Sequence, residues 1–219
     1  MKIKCAVFDF DGTLFDSMFI WDTVGEIYLS NFGKKPTPYM REDLRTLSLY
    51  ESAVYLQKEY ALPLSAEEIM EGINKTIEHF YLYEVLLKDG VSDFLKILKE
   101  KGIKMCIATA SERYQVEAAL KRCEIDNYFD EIFTCTEIGH GKNGPYIFRK
   151  AMEHFDGDRS NTVIFEDALH AVKTAKNDGF IVAAVFDNSE KRQNELYNIS
   201  DFYIKDFKNT EEFFKLSDI

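Results

Sequence analysis

Five short apolar runs in the sequence are each followed by side chains that could do chemistry. Asp9 and Asp11 stand two positions apart after the first run, and Lys142 lies in a glycine-rich turn after the third. Ligands of an open parallel α/β sheet bind beyond the carboxyl ends of its strands, so a site is expected at these positions. The other members of the set are the hydroxyls of Thr109 and Ser111 after the second run, the carboxylates of Glu166 and Asp167 after the fourth, and Asp187 after the fifth.

Carboxylates that converge on one crevice repel each other unless a cation lies among them. Oxygen ligands without clustered cysteine or histidine favour a hard ion such as Mg²⁺. The Lys142 ammonium and one hydroxyl would complement an anion held on that ion. The set therefore predicts phosphoryl transfer.

The elements that must position these residues alternate between strands and helices. Runs of strand length with β-branched or aromatic content and little polar alternation predict strands buried on both faces. Ser92 is a candidate helix cap, Pro145 a candidate first helical residue, and Gly102 and Gly179 candidate helix stops. This order predicts an α/β fold with a three-layer, Rossmann-like parallel-sheet core. The predicted strands are 3–8, 104–108, 131–135, 162–165 and 181–186, and the predicted helices are 92–101, 113–123, 145–155 and 168–178.

Residues 17–86 have a different sequence pattern, with three amphipathic helical segments and no strand-like run. We interpret this segment as a helical unit inserted after the first strand. The α/β core would then comprise residues 1–16 and 87–219. The apolar stripes of the insertion are Ile20, Val24, Ile27 and Tyr28, then Leu49, Ala53 and Leu56, then Ile69, Ile73, Ile77 and Phe80.

The composition is that of a folded globular protein, with 46% hydrophobic and 30% charged residues among 219. The 27 basic and 38 acidic residues give a net charge of −11, which disfavours nucleic acid and anionic lipid as partners. Asp9 and Asp11 interrupt the first apolar run before a signal-peptide core could form, and no stretch approaches the roughly 20 apolar residues of a membrane span. We expect a cytoplasmic protein with no membrane partner. The oligomeric state stays open, and a monomer fits the sequence.

The four cysteines are scattered without the spacing of a metal site. Cys5, Cys106 and Cys135 lie in strand-like apolar runs, which predicts buried, reduced thiols.

The segment Asp9-Phe10-Asp11-Gly12-Thr13-Leu14 resembles the opening motif of the haloacid dehalogenase superfamily, Asp-x-Asp-Gly-Thr. The family's three other motifs follow in order, as Ile107-Ala108-Thr109-Ala110-Ser111, Lys142, and Phe165-Glu166-Asp167-Ala168. The resemblance covers essentially the whole chain, because the helical insertion is similar to the family's small α-helical cap. The chain is most similar to the branch that holds beta-phosphoglucomutase and phosphoglycolate phosphatase.

The resemblance implies a role for each motif residue. Asp9 would be the nucleophile that forms an aspartyl-phosphate, and Asp11 the general acid and then base. Mg²⁺ would be held by Asp9, by the Asp11 backbone carbonyl and by Asp167. The Thr109 hydroxyl, the Ala110 N–H and Lys142 would bind the phosphoryl group, and Glu166 would order metal waters or Lys142, or else ligate the metal directly.

Several other residues are expected to have structural rather than catalytic roles. Asp187 is expected to be a turn or cap residue, and Asp16 and Ser17 to be a capping pair for the first helix of the cap. Trp21 could face the cleft but is interpreted as a core or hinge residue. Substrate specificity is expected to reside in the cap, at Trp21, Arg41, Arg45, Ser48 and Tyr50 or their neighbours.

The favoured function is a Mg²⁺-dependent phosphatase acting on a small phosphorylated metabolite. A sugar phosphomutase is the alternative, disfavoured because Trp21 stands where the mutase would have a histidine and because 47–52 lacks its cap arginine. A phospho-accepting signalling domain is a non-enzymatic alternative. Such a domain has its phospho-accepting aspartate after a later strand, and it has no helical insertion after the first.

Overall fold

The computed structural model describes residues 2–44 and 47–217, without the side chain of Leu216. A six-stranded parallel sheet has the strand order β3-β2-β1-β4-β5-β6, which is the Rossmann order. The predicted three-layer α/β fold is confirmed. The strands are β1 (Cys5–Phe8), β2 (Lys104–Thr109), β3 (Glu131–Thr134), β4 (Thr162–Glu166), β5 (Ile181–Val185) and β6 (Phe202–Ile204).

Eleven α-helices are found in the described residues. Five of them precede β2, and the others alternate with the later strands or follow β6. The helices are α1 (Met18–Ser30), α2 (Met40–Leu44), α3 (Leu49–Glu59), α4 (Ala66–Tyr83), α5 (Val91–Glu100), α6 (Arg113–Arg122), α7 (Cys135–Ile138), α8 (Tyr146–His154), α9 (Leu169–Asn177), α10 (Gln193–Ile199) and α11 (Glu211–Leu216).

The sheet is apolar on both faces because successive side chains of a strand point to opposite sides. Phe8 and Phe165, on neighbouring strands, stack with ring centroids 4.3 Å apart on the face covered by α5, α6 and α11. Val7 and Ile164 point to the other face, which α8, α9 and α10 cover. Burial on both faces explains why the strands appear in the sequence as continuous apolar runs.

The insertion is anchored where the chain leaves and re-enters the core. The Asp16 N–H donates to the Leu86 carbonyl at 2.9 Å, and the Lys88 N–H donates to the Leu14 carbonyl at 2.9 Å. Helix α4 packs against α1 and α3 and also against α6 of the core. The apolar cluster on one face of the sheet continues into the insertion through Ile69, Ile73 and Ile77. The division of the chain at 16/17 and 86/87 stays a prediction.

Several local expectations are wrong by small amounts. Helix α5 starts at Val91, and Gly90, with a φ of 86°, occupies the cap position before it. Ser92 therefore lies inside the helix and is not its cap. Pro145 precedes α8 rather than being its first residue. Ile27 is 44% exposed, because the buried side of α1 is centred on Val24 and Tyr28. Gly102 and Gly179 adopt positive φ just after helices, as predicted.

The four cysteines are free thiols, and the predicted buried strand position is confirmed for Cys5 and Cys106 but wrong for Cys135. Cys5 and Cys106 are buried in β1 and β2. Cys135 lies beyond the end of β3 and begins α7.

None of the described helices combines the length and the apolar character needed to cross a membrane.

Asp178, just after α9, ties two other parts of the core together. Its carboxylate accepts hydrogen bonds from Arg149 on α8 and from Arg159 in the loop before β4. The hydrogen bonds from Arg149 hold the pKa of Asp178 below its ordinary value, and those from Arg159 act in the same direction. A carboxyl with a lowered folded-state pKa stabilises the protein above its unfolded pKa, and this contribution is lost as the pH falls.

We predict that Asp178→Asn destabilises the protein at pH 7 by about 1 kcal/mol, lowering Tm by about 2 to 4 °C. The deficit relative to wild type should shrink below about pH 4, where the wild-type carboxyl also becomes neutral. Thermal unfolding across the pH range tests this. Asp89→Asn is the control, since Asp89 is 80% exposed and pairs with the exposed Lys208. A deficit that does not depend on pH would contradict the assignment.

Candidate active site

The candidate site lies where the strand order changes direction. The chain runs from β1 outward to β2 and β3, then returns to place β4 on the other side of β1. Asp9 follows β1, Glu166 ends β4 and Asp167 comes next. The pairing of Phe8 with Phe165 brings these carboxylates to the same edge of the sheet. A crevice outside the strand ends at such a point is the expected ligand site of this architecture.

Lys142 reaches the two central carboxylates from the loop between α7 and α8. Its Nζ lies 2.5 Å from Asp9 Oδ1 and 2.8 Å from Glu166 Oε2. All three residues are buried, so these charge-assisted contacts are shielded from water. Burial lowers the pKa of Lys142, but the Asp9 and Glu166 carboxylates outweigh it and raise the pKa above its ordinary value. Lys142 is therefore a cation in the site.

The site contains more buried negative charge than Lys142 can balance. Asp9, Glu166 and Asp167 each offer one oxygen, and these oxygens lie within 4.8 Å of one another. Burial, together with Glu166, raises the pKa of Asp9 to about 6 even though Lys142 lowers it. Burial also raises the pKa of Asp167 well above its ordinary value, and Glu166 and Asp9 add to the effect. Three hard oxygen donors with excess negative charge fit a divalent cation such as Mg²⁺.

Asp11 lies apart from that cluster and is held by hydroxyl groups. Its Oδ1 accepts from Ser17 at 2.6 Å and from Tyr81, and its Oδ2 accepts from Ser111 at 2.5 Å. Burial raises the pKa of Asp11, while the bonds from Ser111, Ser17 and Tyr81 oppose this rise. Hydroxyl groups can both donate and accept, so this environment accommodates a carboxyl that gains and loses a proton.

The Thr109–Ser111 segment follows β2 beside Asp11. Thr109 is fully buried, and its Oγ1 accepts the Ser111 N–H at 3.0 Å. This bond uses the Thr109 oxygen as an acceptor and leaves the hydroxyl proton available for donation. Ala110 between them is exposed. The segment can therefore offer a hydroxyl and a backbone N–H to an anion at the strand ends.

Most of the residues predicted for the site are brought together at one end of the sheet. The Asp11 side chain, predicted as the acid and base, lies beside the end of β2 and outside the group of oxygens that could share a metal. Glu166 takes part in that group and also binds Lys142, so the geometry leaves both of its predicted roles open.

Three less specific predictions can also be compared with the structure. Asp187 is a turn residue as expected, because its Oδ1 accepts the Ser189 N–H at 2.9 Å, and it also pairs with Lys88. Ser17 is not a capping side chain, because its hydroxyl binds Asp11 instead. Trp21 is half-buried on α1, and its indole N–H donates to Tyr81 at 2.7 Å.

Two residues of the site were missed by sequence reasoning. Tyr81 continues the series Ile69, Ile73 and Ile77 at a spacing of four, which predicts that it is buried. A buried tyrosine hydroxyl usually has a hydrogen-bond partner, and this could have indicated a polar contact. Thr13 donates to Asp167 Oδ1 at 3.2 Å. Thr13 belongs to the first motif, but nothing in the sequence indicates that contact.

The predicted specificity residues of the insertion are spread over its surface. Arg41 pairs with Glu26 at 2.8 Å, and Tyr50 is 51% exposed. Ser48 caps α3, and its side chain and that of Glu51 form a reciprocal capping box. Ser48 also faces the loop that holds Lys142, since a Cβ added to Gly141 would lie 4.0 Å from the Ser48 Cβ. Arg45 lies outside the described residues.

Comparison with known proteins identifies the class. The model of the haloacid dehalogenase-like hydrolases matches residues 3–179. The chain belongs to this family and is therefore an enzyme of the hydrolase class, as the four ordered motifs predicted. Membership excludes the non-enzymatic signalling alternative.

Two similar relatives are named as phosphatases. A phosphorylated carbohydrates phosphatase of Thermotoga maritima is 25% identical over 179 residues, covering 81% of this chain and 82% of that protein. Pyrophosphatase PpaX of Bacillus mycoides is 28% identical over 200 residues, with 84% of each chain covered.

Solved structures share the fold. CbbY from Rhodobacter sphaeroides, in complex with phosphate, has a TM-score of 0.83 at 21% identity, covering 95% of this chain and 96% of its own. Beta-phosphoglucomutase from Clostridium difficile has a TM-score of 0.80 at 17% identity, covering 98% and 96%.

Gly12 allows the first motif to pass close to Asp167. Its φ is +74°, and a Cβ there would lie 2.7 Å from Asp167 Cγ and 2.8 Å from Met18 Cγ. Gly102 has the same φ of +74° but nothing within 4 Å of the Cβ position. Alanine at Gly102 therefore measures the loss of stability from the backbone conformation alone, and alanine at Gly12 adds the loss from contact with Asp167 and Met18.

We predict that Gly12→Ala destabilises the protein more than Gly102→Ala. Both variants incur roughly 1 to 2 kcal/mol of left-handed strain, and overpacking against Asp167 adds about 1 to 3 kcal/mol for Gly12 alone. Denaturant unfolding of the two variants measures the difference. Equal losses of stability would show that Asp167 can move away without cost.

Proposed function

We propose that this hydrolase is a Mg²⁺-dependent phosphatase that cleaves a small phosphorylated metabolite through an aspartyl-phosphate on Asp9. The observation that carries the proposal is the buried contact of Lys142 Nζ with Asp9 Oδ1 at 2.5 Å, at the centre of a cluster of carboxylates. A carboxylate fixed beside a permanent cation is positioned to act as a nucleophile toward an anionic phosphate ester.

The binding step uses the two sides of the crevice. Lys142 supplies a positive charge from one side, while the Thr109 hydroxyl and the Ala110 N–H donate from the end of β2. These groups orient the phosphoryl oxygens with phosphorus toward Asp9. The net charge of −11 repels an anionic substrate at long range, so this local attraction must dominate inside the crevice.

In the first chemical step, an Asp9 carboxylate oxygen attacks phosphorus in line with the leaving oxygen. An O–P bond forms at Asp9, the ester P–O bond breaks, and Asp11 gives its proton to the departing alkoxide. Lys142 remains beside the reacting atoms and stabilises the negative charge on the phosphoryl oxygens.

Asp9, the Asp11 backbone carbonyl and Asp167 would hold Mg²⁺, with Glu166 as a further ligand or as the partner of Lys142 alone. Bound there, Mg²⁺ offsets the charge that otherwise prevents one anion from attacking another.

In the second step, Asp11, now a carboxylate, takes a proton from water as the water oxygen attacks the phosphorus on Asp9. The acyl phosphate P–O bond breaks, inorganic phosphate is released and Asp9 is regenerated. One aspartate thus serves as acid and then as base, which is consistent with its place beside the phosphoryl pocket and outside the metal cluster.

The substrate class is a small phosphorylated metabolite, supported by the names of the Thermotoga and Bacillus relatives. The mutase alternative has less support, because the likeness to beta-phosphoglucomutase at 17% identity concerns the fold alone. Trp21 donates to Tyr81 in this chain, in place of the histidine that a mutase would have there.

We predict that Asp9→Asn abolishes phosphate release from a panel of phosphorylated metabolites and p-nitrophenyl phosphate, because it removes the nucleophile. Asp16→Asn, which alters an exposed carboxylate seven residues away, should retain wild-type rates. Phosphate release by Asp9→Asn near the wild-type rate would disprove the nucleophile assignment. Isomerisation of β-glucose 1-phosphate with a bisphosphate primer, without phosphate release, would identify a mutase instead.

We also predict that EDTA removes the activity and that added Mg²⁺ restores it. Asp167→Asn should raise the Mg²⁺ concentration for half-maximal activity about 10-fold or more, since even outer partners of metal ligands contribute on that scale. Glu166→Gln should have an effect of the same size only if Glu166 is a ligand. Undiminished activity in EDTA would rule out the metal requirement.

A further inference from the structure

Tyr81 connects helix α4 to a residue of the core that is 70 positions earlier in the chain. It lies near the carboxyl end of α4 and is fully buried. A buried tyrosine needs a partner for its hydroxyl, and Tyr81 donates to Asp11 Oδ1. The hydroxyl thus reaches the proposed general acid from outside the four family motifs.

Trp21 fixes the direction of that hydrogen bond. Its Nε1 lies 2.7 Å from the Tyr81 oxygen. An indole N–H can only donate, so the Tyr81 oxygen is the acceptor and its single proton is directed to Asp11. The Ser17 and Ser111 hydroxyls also contact Asp11, and a serine hydroxyl can rotate to donate or to accept.

The two oxygens of Asp11 are therefore in different environments. Oδ1 accepts from both Ser17 and Tyr81. Oδ2 accepts from Ser111, which follows the Thr109–Ala110 pair at the end of β2. From this contact we infer that Oδ2 is the oxygen nearer the proposed phosphoryl pocket.

We propose that Tyr81 and Trp21 are positioning residues that hold Asp11 through Oδ1 and thereby present Oδ2 to the substrate. The inference rests on the proposed phosphatase function. In the first step the proton leaves Oδ2 for the departing alkoxide oxygen, and in the second step a water proton arrives at Oδ2. Because Trp21 lies on α1 and Tyr81 on α4, the placement of the acid depends on how these two helices dock on the core.

The leaving group of the substrate distinguishes positioning of the acid from a general structural effect. An alkoxide requires a proton as it departs, whereas p-nitrophenolate is stable without one. The parameter kcat/KM reports the steps up to phosphorylation of Asp9, so it isolates the step in which Asp11 acts as an acid. Loss of positioning should therefore affect an alkyl ester more than an aryl ester.

The test compares Tyr81→Phe and Trp21→Phe with wild type, using glycerol 2-phosphate and p-nitrophenyl phosphate with Mg²⁺. For Tyr81→Phe we expect kcat/KM to fall about 10-fold or more with the alkyl ester and less than about 3-fold with the aryl ester. Trp21→Phe should change the ratio in the same direction by a smaller factor, because Tyr81 still reaches Asp11.

The matched control is Tyr60→Phe. Tyr60 is also a buried tyrosine of the insertion, and its oxygen accepts the Thr37 N–H at 2.9 Å, so the substitution removes a buried hydrogen bond without touching Asp11. Its ratio of alkyl to aryl kcat/KM should equal that of wild type.

Trp21 is the single tryptophan of the chain and supplies a second measurement that does not depend on turnover. Tyr81→Phe removes the acceptor of the indole N–H and should shift the fluorescence emission of the folded protein. Tyr60→Phe should leave the emission unchanged.

Equal losses with both esters, or no loss with either, in the folded Tyr81→Phe variant would overturn the inference. If Tyr81→Phe does not fold, an unchanged ester ratio in Trp21→Phe would overturn it. A wild-type enzyme that releases no phosphate from any ester would disprove the proposed function itself, so the two failures are distinguishable.

Discussion

The contact of the Lys142 ammonium with the buried carboxylates of Asp9 and Glu166 is the interaction on which the site depends. Three carboxylates whose oxygens lie within 4.8 Å cannot all be charged in a dry crevice without compensation. Lys142 supplies one positive charge and leaves a net negative charge. This excess negative charge is unfavourable in the crevice alone. It favours binding of a divalent cation, and such a cation in turn attracts a phosphate group.

Two aspartates of one short motif lie in different surroundings, which suit the different tasks proposed for them. Asp9 contacts the Lys142 ammonium and lies near two carboxylates, surroundings that suit the nucleophile of the proposed function. Asp11, two residues later, lies among three hydroxyls that tolerate either protonation state. Environments that differ in this way allow neighbouring carboxyls to serve as nucleophile and as acid or base within one site.

The insertion contributes residues to the candidate site, because the Tyr81 and Ser17 hydroxyls donate to Asp11. Its helices share an apolar cluster with one face of the sheet, and α4 packs directly on α6. The hydroxyl of Tyr81 and the indole of Trp21 extend this packing to Asp11. Docking of the insertion and placement of Asp11 are therefore linked through specific hydrogen bonds and not through packing alone.

The sequence by itself determined the sheet and the residues at its edge. Buried parallel strands appear as apolar runs, and the residue after each run lies at the carboxyl end whatever the rest of the chain does. The grouping of Asp9, Glu166 and Asp167 follows from that rule, whereas Lys142 reaches them from the loop between α7 and α8. Strand β6 was not predicted, because a strand of three residues, Phe202–Ile204, is too short to form a recognisable pattern.

Only the tertiary structure decided which side chains meet Asp11. Its partners Ser17, Tyr81 and Ser111 come from 6, 70 and 100 positions away, and no periodicity relates them. Packing of α4 on its neighbours places Tyr81, the start of α1 places Ser17, and the end of β2 places Ser111. The error at Ser17 has the same origin, because its local role as a cap competes with a long-range hydrogen bond that becomes available only in the folded chain.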